Sequence, residues 1–314
     1  MSEKTKMGVV GVGALGQHHA RIYTELEGAE LCGIYEVDPD AAKVIAERHN
    51  TKAFSSLEAF AKEVDAASVV VPTDLHREVA GFLLEQGLHL LVEKPIAATT
   101  QEAEELVSIA QQHNAILQVG HVERFNPVLS YLEQKESPPR FIEAHRLAPY
   151  PPQREGRVPR GTEVSVVLDL MIHDLEVILH LVNAEVTEIR AVGVPVLSST
   201  EDIANVRLEF ANGCVANITA SRISPERMRK IRVFSNDAYV SLDYQEQSGE
   251  IYRKTETGIV PGAVPVEKGE PLKLELQAFA DAVAHHGKPV VSGKQAAKAL
   301  RLAAEIIQII EMAK

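Results

Sequence analysis

Over the first 120 positions, short runs of apolar and β-branched residues alternate with longer stretches in which apolar residues recur every three or four positions. The runs are Met7–Val12, Leu31–Val37, Ala67–Pro72, His89–Glu93 and Ile116–Gly120. Unbroken apolar runs of this length suit strands covered on both faces, as in a parallel sheet. Between them, Gly16–Leu26, Asp40–His49 and Leu75–Gln86 carry helical spacing, and Gly87 stands where a helix C-terminus favours glycine. Thr99 with Glu102 three residues on makes a capping box ahead of Ala103, Leu106, Val107 and Ala110. The order strand, helix, strand, helix predicts a doubly wound parallel α/β domain over residues 1–120.

The pattern changes near residue 121. Pro138, Pro139, Pro149, Pro151, Pro152 and Pro159 predict irregular chain between about 137 and 162, followed by a helix over Val164–Leu181. The period then becomes two: Ala204, Val206, Leu208 and Phe210 alternate with Asn205, Arg207 and Glu209. Asn212-Gly213 predicts a tight hairpin into Cys214–Ser221, and Ile231–Phe234 with Tyr239–Tyr244 reads as another strand pair. Two amphipathic helices close the chain, one through Leu272, Leu276, Phe279 and Val283, the other through Ala296, Ala299, Ala303, Ile306 and Ile310. Residues 121–314 are therefore expected to form an α+β domain with an open, largely antiparallel sheet.

Charge narrows the function classes. The chain carries 44 acidic against 32 basic residues, a net charge of −12. That balance argues against a nucleic-acid binder and against a protein held by charge to anionic lipid. No stretch approaches the length of a membrane span, and the N-terminal apolar segment is too broken for a signal peptide. Two cysteines, Cys32 and Cys214, make no disulfide framework, and a reducing, cytoplasmic compartment is expected.

Candidate chemistry starts at Gly11-Val12-Gly13-Ala14-Leu15-Gly16, a GxGxxG element that follows the first strand and opens the first helix. In this context Gly11 serves the tight turn, Gly13 the approach of a pyrophosphate and Gly16 the packing of helix on strand. Glu36, at the end of the second run, is placed to accept hydrogen bonds from a ribose. A carboxylate there repels a 2′-phosphate, and no arginine follows until Arg48, so NAD is favoured over NADP. Asp38 before Pro39 is the weaker candidate and could cap a helix instead. Glu93-Lys94-Pro95 ends the fourth run, at the sheet edge where such folds bind ligands. A partly buried lysine there can act in proton transfer. Pro72, Thr73 and His76 lie at the corresponding end of the third run.

Asp169 and His173 stand four apart in an apolar helical stretch, which puts both on one face. The pair suits proton abstraction with an oriented imidazole, two metal ligands, or a satisfied structural pair. A metal would need a third ligand, for which Glu176 and His180 are no more than possible donors, and no dedicated metal spacing appears, so no metal is expected.

Together these residues resemble the Gfo/Idh/MocA family of NAD(P)-dependent oxidoreductases, over nearly the whole chain. The markers are Gly11–Gly16, Pro72-Thr73 with His76, Glu93-Lys94-Pro95, and Asp169 with His173. The resemblance implies a Rossmann domain, an α+β domain whose open sheet serves a homodimer or homotetramer, and a nicotinamide and a sugar or polyol held between the domains. It implies proton transfer by Lys94 or His173, with Asp169 supporting the substrate. The family often has two glycines just ahead of the Asp-x-x-x-His pair, where this chain has Val166-Val167. Gly120–Pro127 and Asp169–Asp174 look like the branch that oxidises the 3-hydroxyl of UDP-N-acetylglucosamine. In that branch the ketone is then aminated for lipid A, which implies a pathway aminotransferase as partner. Arg140, Arg146, Arg154, Arg157 and Arg160 lie together in the proline-rich stretch; arginine suits a diphosphate, and Arg157 and Arg160 are the named substrate candidates. An ordinary solvated charged loop is the alternative there. The competing functions are dehydrogenation of a free polyol or aldose, of inositol type, and NAD binding by a sensor without turnover.

Overall fold

The computed structural model describes residues 4–133, 137–152, 159 and 161–313. The first part of the chain runs β1 (Thr5–Val10), α1 (Gly16–Glu25), β2 (Ala29–Tyr35), α2 (Pro39–Arg48), β3 (Lys52–Phe54), α3 (Leu57–Ala61) and β4 (Ala66–Val69). It continues with α4 (His76–Glu85), β5 (His89–Glu93), α5 (Thr100–Gln112) and β6 (Leu117–Gly120). All five expected strands are present. The short β3 and α3 are additional; three residues with exposed Lys52 and Ala53 give no apolar run to read. The six strands form one parallel sheet in the order β3-β2-β1-β4-β5-β6. The order reverses between β1 and β4, and the C-terminal edge at such a switch point is where open α/β sheets take ligands. The capping box of α5 is formed: Thr99 Oγ1 accepts from Glu102 N–H at 3.2 Å and Glu102 Oε2 from Thr99 N–H at 3.0 Å.

The second part runs α6 (Ser130–Glu133), β7 (Phe141–Leu147), α7 (Ile172–Val182), β8 (Val186–Val194), β9 (Ile203–Phe210) and β10 (Val215–Ser221). Then come β11 (Met228–Phe234), β12 (Ala238–Asp243), β13 (Ser248–Thr255), β14 (Gly258–Ala263), α8 (Pro271–Ala284) and α9 (Gly293–Met312). Eight strands form a sheet in the order β14-β13-β12-β11-β7-β10-β9-β8. Every pair is antiparallel except β7 with β10. The Asn212-Gly213 hairpin joins β9 to β10 as expected, with Gly213 at φ +81°.

Two expectations are corrected here. The segment 137–162 is not wholly irregular, because β7 lies inside it and sits in the middle of the sheet. Its inward row is Ile142, Ala144 and Arg146, all buried, so a charge stands where alternation calls for an apolar residue. The helix expected over Val164–Leu181 is not regular either. Residues Val167–Met171 form a π-helical turn before α7 begins. Ser165 feeds that turn: its Oγ accepts from Val167 N–H, and its carbonyl from Leu168 and Asp169 N–H.

The chain forms two compact units. Residues 1–122 and 270–298 make one, and residues 123–269 and 299–314 the other. The first break falls two residues from the expected 120. Residues 270–298, however, go with the first unit, because the apolar face of α8 has its partners there. Leu276, Phe279, Ala280 and Val283 share a buried cluster with Met7, Val9, Tyr23, Leu31 and Leu91. Among the described residues, no helix is long and apolar enough to cross a membrane.

Candidate active-site residues

In the first unit the glycine turn leaves β1 at Gly11, whose φ of +84° and whose carbonyl neighbours leave no space for a side chain. A Cβ on Gly11 would meet Val70 O at 2.6 Å, and one on Gly16 would meet Gly11 O at 1.9 Å. Gly13 is the opposite case: nothing lies within 4 Å of where its Cβ would be. Gly13 and Ala14 are exposed and Leu15 half-buried, so the backbone here is open to a ligand. No side chain caps α1, and its first turn carries no acid. Gln17 and His18 N–H turn back to the Gly13 and Leu15 carbonyls at 3.3 and 2.9 Å, and the uncapped positive dipole end is left for an anion.

Glu36 stands across from this turn. Its Oε2 accepts from Val12 N–H at 2.9 Å and its Oε1 from Asp38 N–H at 3.4 Å. A carboxylate has about four lone-pair sites, so capacity for ribose hydroxyls remains. Asp38 is the N-cap of α2, accepting from Asp40 and Ala41 N–H at 3.0 and 3.2 Å. That settles which acid is committed elsewhere. The open Gly13, the uncapped helix and the acid at the end of β2 together fit a dinucleotide.

Lys94 is half-buried and follows β5 directly. Two neighbours shape its turn. Glu93 Oε2 accepts from Lys94 N–H at 3.2 Å, and Glu93 Oε1 lies 3.3 Å from Nε2 of the fully buried His19. The Glu93 carboxylate also packs on Gly120, where a Cβ would come within 2.8 Å of it. Pro72 is exposed and Thr73 opens a single turn to Leu75. His76 departs from the expectation that it faces a cofactor. It is 1% exposed, with Nδ1 2.9 Å from Pro95 O and Nε2 3.0 Å from Val71 O. Burial pushes its pKa down. Both ring nitrogens face backbone carbonyls, and the one that carries the proton donates to its carbonyl, so His76 is packed between the Glu93–Pro95 turn and the end of β4. His19 and the buried Glu275 of α8 escaped the sequence reading. Burial, and then the nearby Glu93, push the Glu275 carboxyl well above the usual range.

In the second unit Asp169 lies in the π-helical turn and His173 in the first turn of α7, both half-buried. The step from Asp169 to His173 thus runs from a π turn into an α-helix, not along one regular helix. The Asp169 carboxylate sits over Gly161, which has φ +84°; a Cβ there would meet Asp169 Oδ2 at 2.5 Å. Glu176 and His180, the other donors considered for a metal, are engaged. Glu176 Oε1 accepts from Arg124 Nη1 at 2.8 Å, and His180 Nε2 is 3.1 Å from Glu133 Oε1. Among the described residues no group of three metal-ligating side chains occurs.

The arginine cluster divides. Arg154, Arg157 and Arg160 lie outside the described residues. Arg140 is exposed at the start of β7. Arg146 is not available to a diphosphate, which corrects its inclusion in that group. It is 3% exposed, donates from Nε and Nη2 to Asp174 at 2.7 and 3.1 Å, and from Nη1 to Glu123 at 2.8 Å. Burial opposes its charge, but Asp174 and Glu123 outweigh burial and hold the guanidinium above its usual pKa. Burial dominates at Asp174 and raises it, whereas Arg146 overcomes burial at Glu123 and lowers it.

Two family models match the chain. The one described as an oxidoreductase family with an NAD-binding Rossmann fold, GFO_IDH_MocA, matches residues 5–121, and the GFO/IDH/MocA C-terminal domain matches residues 138–241. The UDP-N-acetylglucosamine 3-dehydrogenase of Acidithiobacillus ferrooxidans is 36% identical, with 98% of this chain and 97% of that protein covered. A solved structure of that enzyme aligns at TM-score 0.92 over 99% of both chains. The NAD(+)-dependent scyllo-inositol 2-dehydrogenase of Bacillus subtilis is 25% identical over 93% of this chain and 90% of its own. Levoglucosan dehydrogenase, solved with NADH and levoglucosan, shares the fold at TM-score 0.88 and 17% identity, covering 99% of this chain and 98% of its own.

Proposed function

Because the chain belongs to the GFO/IDH/MocA oxidoreductase family, whose Rossmann domain binds NAD, we propose that it oxidises the 3-hydroxyl of UDP-N-acetylglucosamine to a ketone. The observation that carries this reading is the end-to-end match to a dehydrogenase of that sugar at 36% identity. NAD is held by the Gly11–Gly16 turn with Ala14 and Leu15 at its opening and Glu36 on the ribose. When bound, it supplies the hydride acceptor. Lys94 or His173 takes the hydroxyl proton, and Asp169 supports the sugar. Glu93 and His76 hold the turn that carries Lys94, and Pro72 with Thr73 borders the same edge of the sheet. Arg157 and Arg160 are the candidates for the diphosphate.

The reading extends to a cytoplasmic enzyme of lipid A synthesis, followed by an aminotransferase that converts the ketone to an amine. It also extends to a homodimer or homotetramer built on the open sheet. One feature supports the latter: Phe141, Phe234, Tyr239 and Tyr252 form a half-exposed aromatic row across β7, β11, β12 and β13, with successive ring centroids 5.6, 4.6 and 5.5 Å apart.

The test is reduction of NAD by the purified protein with UDP-N-acetylglucosamine, in the presence of an aminotransferase and glutamate to draw off the ketone. Reduced cofactor is expected with the UDP-sugar and not with free myo-inositol or glucose. Reduction by a free polyol alone would move the assignment to the inositol type, and NAD binding without reduction by any of these would favour the sensor. Glu36→Ser is expected to weaken NAD and admit NADP. The preference should fall by about 10- to 100-fold, the worth of a charge-assisted hydrogen bond of roughly 1.5–3 kcal/mol. An unchanged ratio of kcat/KM for the two cofactors would remove Glu36 from the ribose site.

A further inference from the structure

Arg222 is among the largest side chains buried almost completely among the described residues, at 2% exposure. It follows β10, beside Asp202 at the start of β9; Arg222 N–H donates to Asp202 O at 2.9 Å. A guanidinium has five N–H donors, and here each has an acceptor. Nε donates to Asp202 Oδ1 at 2.8 Å. Nη1 donates to Gly161 O at 2.5 Å and to Val164 O at 2.8 Å. Nη2 donates to Ser198 Oγ at 2.9 Å and to Thr200 Oγ1 at 2.7 Å.

The partners are fixed in turn. Asp202 Oδ2 accepts from three successive amides, Val196, Leu197 and Ser198, at 2.8, 2.6 and 2.9 Å, and Ser198 Oγ donates to Oδ1. Thr200 Oγ1 donates to Val164 O at 2.9 Å, and Val166 N–H to Glu201 O at 3.0 Å. The β8–β9 loop, Asp202 and Arg222 thus hold residues 161–166 at several points. These residues lead straight into the π turn that carries Asp169. Gly161, whose carbonyl Arg222 grips, is the residue on which the Asp169 carboxylate rests.

We propose that Arg222, braced by Asp202, is a positioning residue for the reaction: it pins the turn from Gly161 to Val164 and so sets the place of the Asp169 carboxylate. The proposal rests on the reading that Asp169 supports the sugar. Three features favour this over a purely structural clamp. A buried ion pair is a weak source of stability, and apolar residues of similar volume often serve as well. Nη1 gives both of its donors to one turn, at Gly161 and Val164, and Thr200, held by Nη2, donates to the same turn. The turn delivers Asp169 through a π turn, a distortion that recurs at functional sites.

The test is a double-mutant cycle on the complete protein, read with UDP-N-acetylglucosamine and NAD. Gly161→Ala keeps the Arg222 side chain but puts a methyl against the carboxylate and a β-carbon on a residue of positive φ, whose carbonyl Arg222 holds. Arg222→Lys keeps the charge but loses the fork. Each is expected to lower kcat/KM by about 10- to 100-fold, the scale of an ångström-sized misplacement at a reacting centre. The loss should fall mainly on KM for the UDP-sugar, and NAD affinity by calorimetry should stay at the wild-type value. In an Asp169→Asn background neither substitution should add more than about twofold, because coupled positions are not additive. The thermal midpoints of the two variants should not rank with their losses in kcat/KM. Equal losses in both backgrounds would overturn the positioning role while leaving the function in place. A wild-type Asp169→Asn enzyme would overturn both the role of Asp169 and the proposal built on it. If Arg222→Lys does not fold, Asp202→Asn, which weakens the brace on Arg222 Nε, takes its place in the same cycle with the same two outcomes.

Discussion

Replacing Lys94 by alanine is expected to lower kcat by about 10²–10⁴-fold, the usual contribution of a placed proton acceptor, with NAD affinity close to wild type. The separation follows from where the parts lie in the first unit. The dinucleotide cradle is backbone from Gly11 to Gly16 plus the Glu36 carboxylate, which already holds Val12 N–H. Lys94 belongs to a different turn, fixed by Glu93 on its own N–H and by His76 on the Pro95 carbonyl. Removing its side chain therefore leaves the cradle as it is. Lys94→Arg adds the chemical distinction. Arginine keeps the positive charge but does not give up its proton at neutral pH. If Lys94 takes the hydroxyl proton, arginine should be as poor as alanine; recovery by arginine would make Lys94 a fixed cation and leave the proton to His173. His173→Asn, measured beside them over pH, completes the comparison, since an imidazole that takes the proton must be neutral and so imposes a break in the pH–rate profile that the variant lacks. Wild-type turnover in Lys94→Ala would sink the assignment of this residue.

Most of the first unit was legible because its signals are local. Buried parallel strands appear as unbroken apolar runs, and α2 and α5 announce their starts through Asp38 and Thr99. The cradle was legible for the same reason: a steric demand at Gly11 and Gly16 can be met by only one residue type. The second unit was harder. Strands β13 and β14 are mostly exposed on both sides and carry no alternation. Strand β7 was hidden by Arg146 in its inward row and by the prolines around it. The candidate residues split along the same line. Glu36, Lys94, Asp169 and His173 are chemically conspicuous and sit beside motifs. His19, Glu275, Asp202 and Arg222 gain meaning only from partners brought close by the fold, and single positions in a sequence do not carry that. His76 shows the converse: it stands in a marker motif, yet its ring is buried with both nitrogens facing backbone carbonyls.

Arg146→Met is expected to destabilise the protein by about 3–5 kcal/mol at neutral pH, the cost of leaving a buried charge without its partner. Two carboxylates would be stranded, Asp174 at 1% and Glu123 at 5% exposure, each held in the native protein by a short charge-assisted bond to the same guanidinium. The pH dependence separates this from simple loss of packing. Without Arg146, only the weaker pull of Arg229 offsets the burial that already raises the Asp174 carboxyl. Its folded pKa then stands above the unfolded value of about 3.9. A carboxyl raised on folding binds more protons folded than unfolded, so its unfavourable contribution grows as pH climbs through that interval and fades below it. The deficit against wild type should therefore be largest at neutral pH and shrink in mildly acidic buffer, as read from urea denaturation at matched pH values. Replacing Asp174 and Glu123 together with Arg146 by apolar residues of similar volume should recover much of the loss. The same variant also decides the earlier assignment of Arg146 to a diphosphate. Unchanged stability with a raised KM for the UDP-sugar would return the residue to the substrate. Loss of stability would confirm that Asp174, the neighbour of His173, is held by a charge placed on a strand where the pattern calls for none.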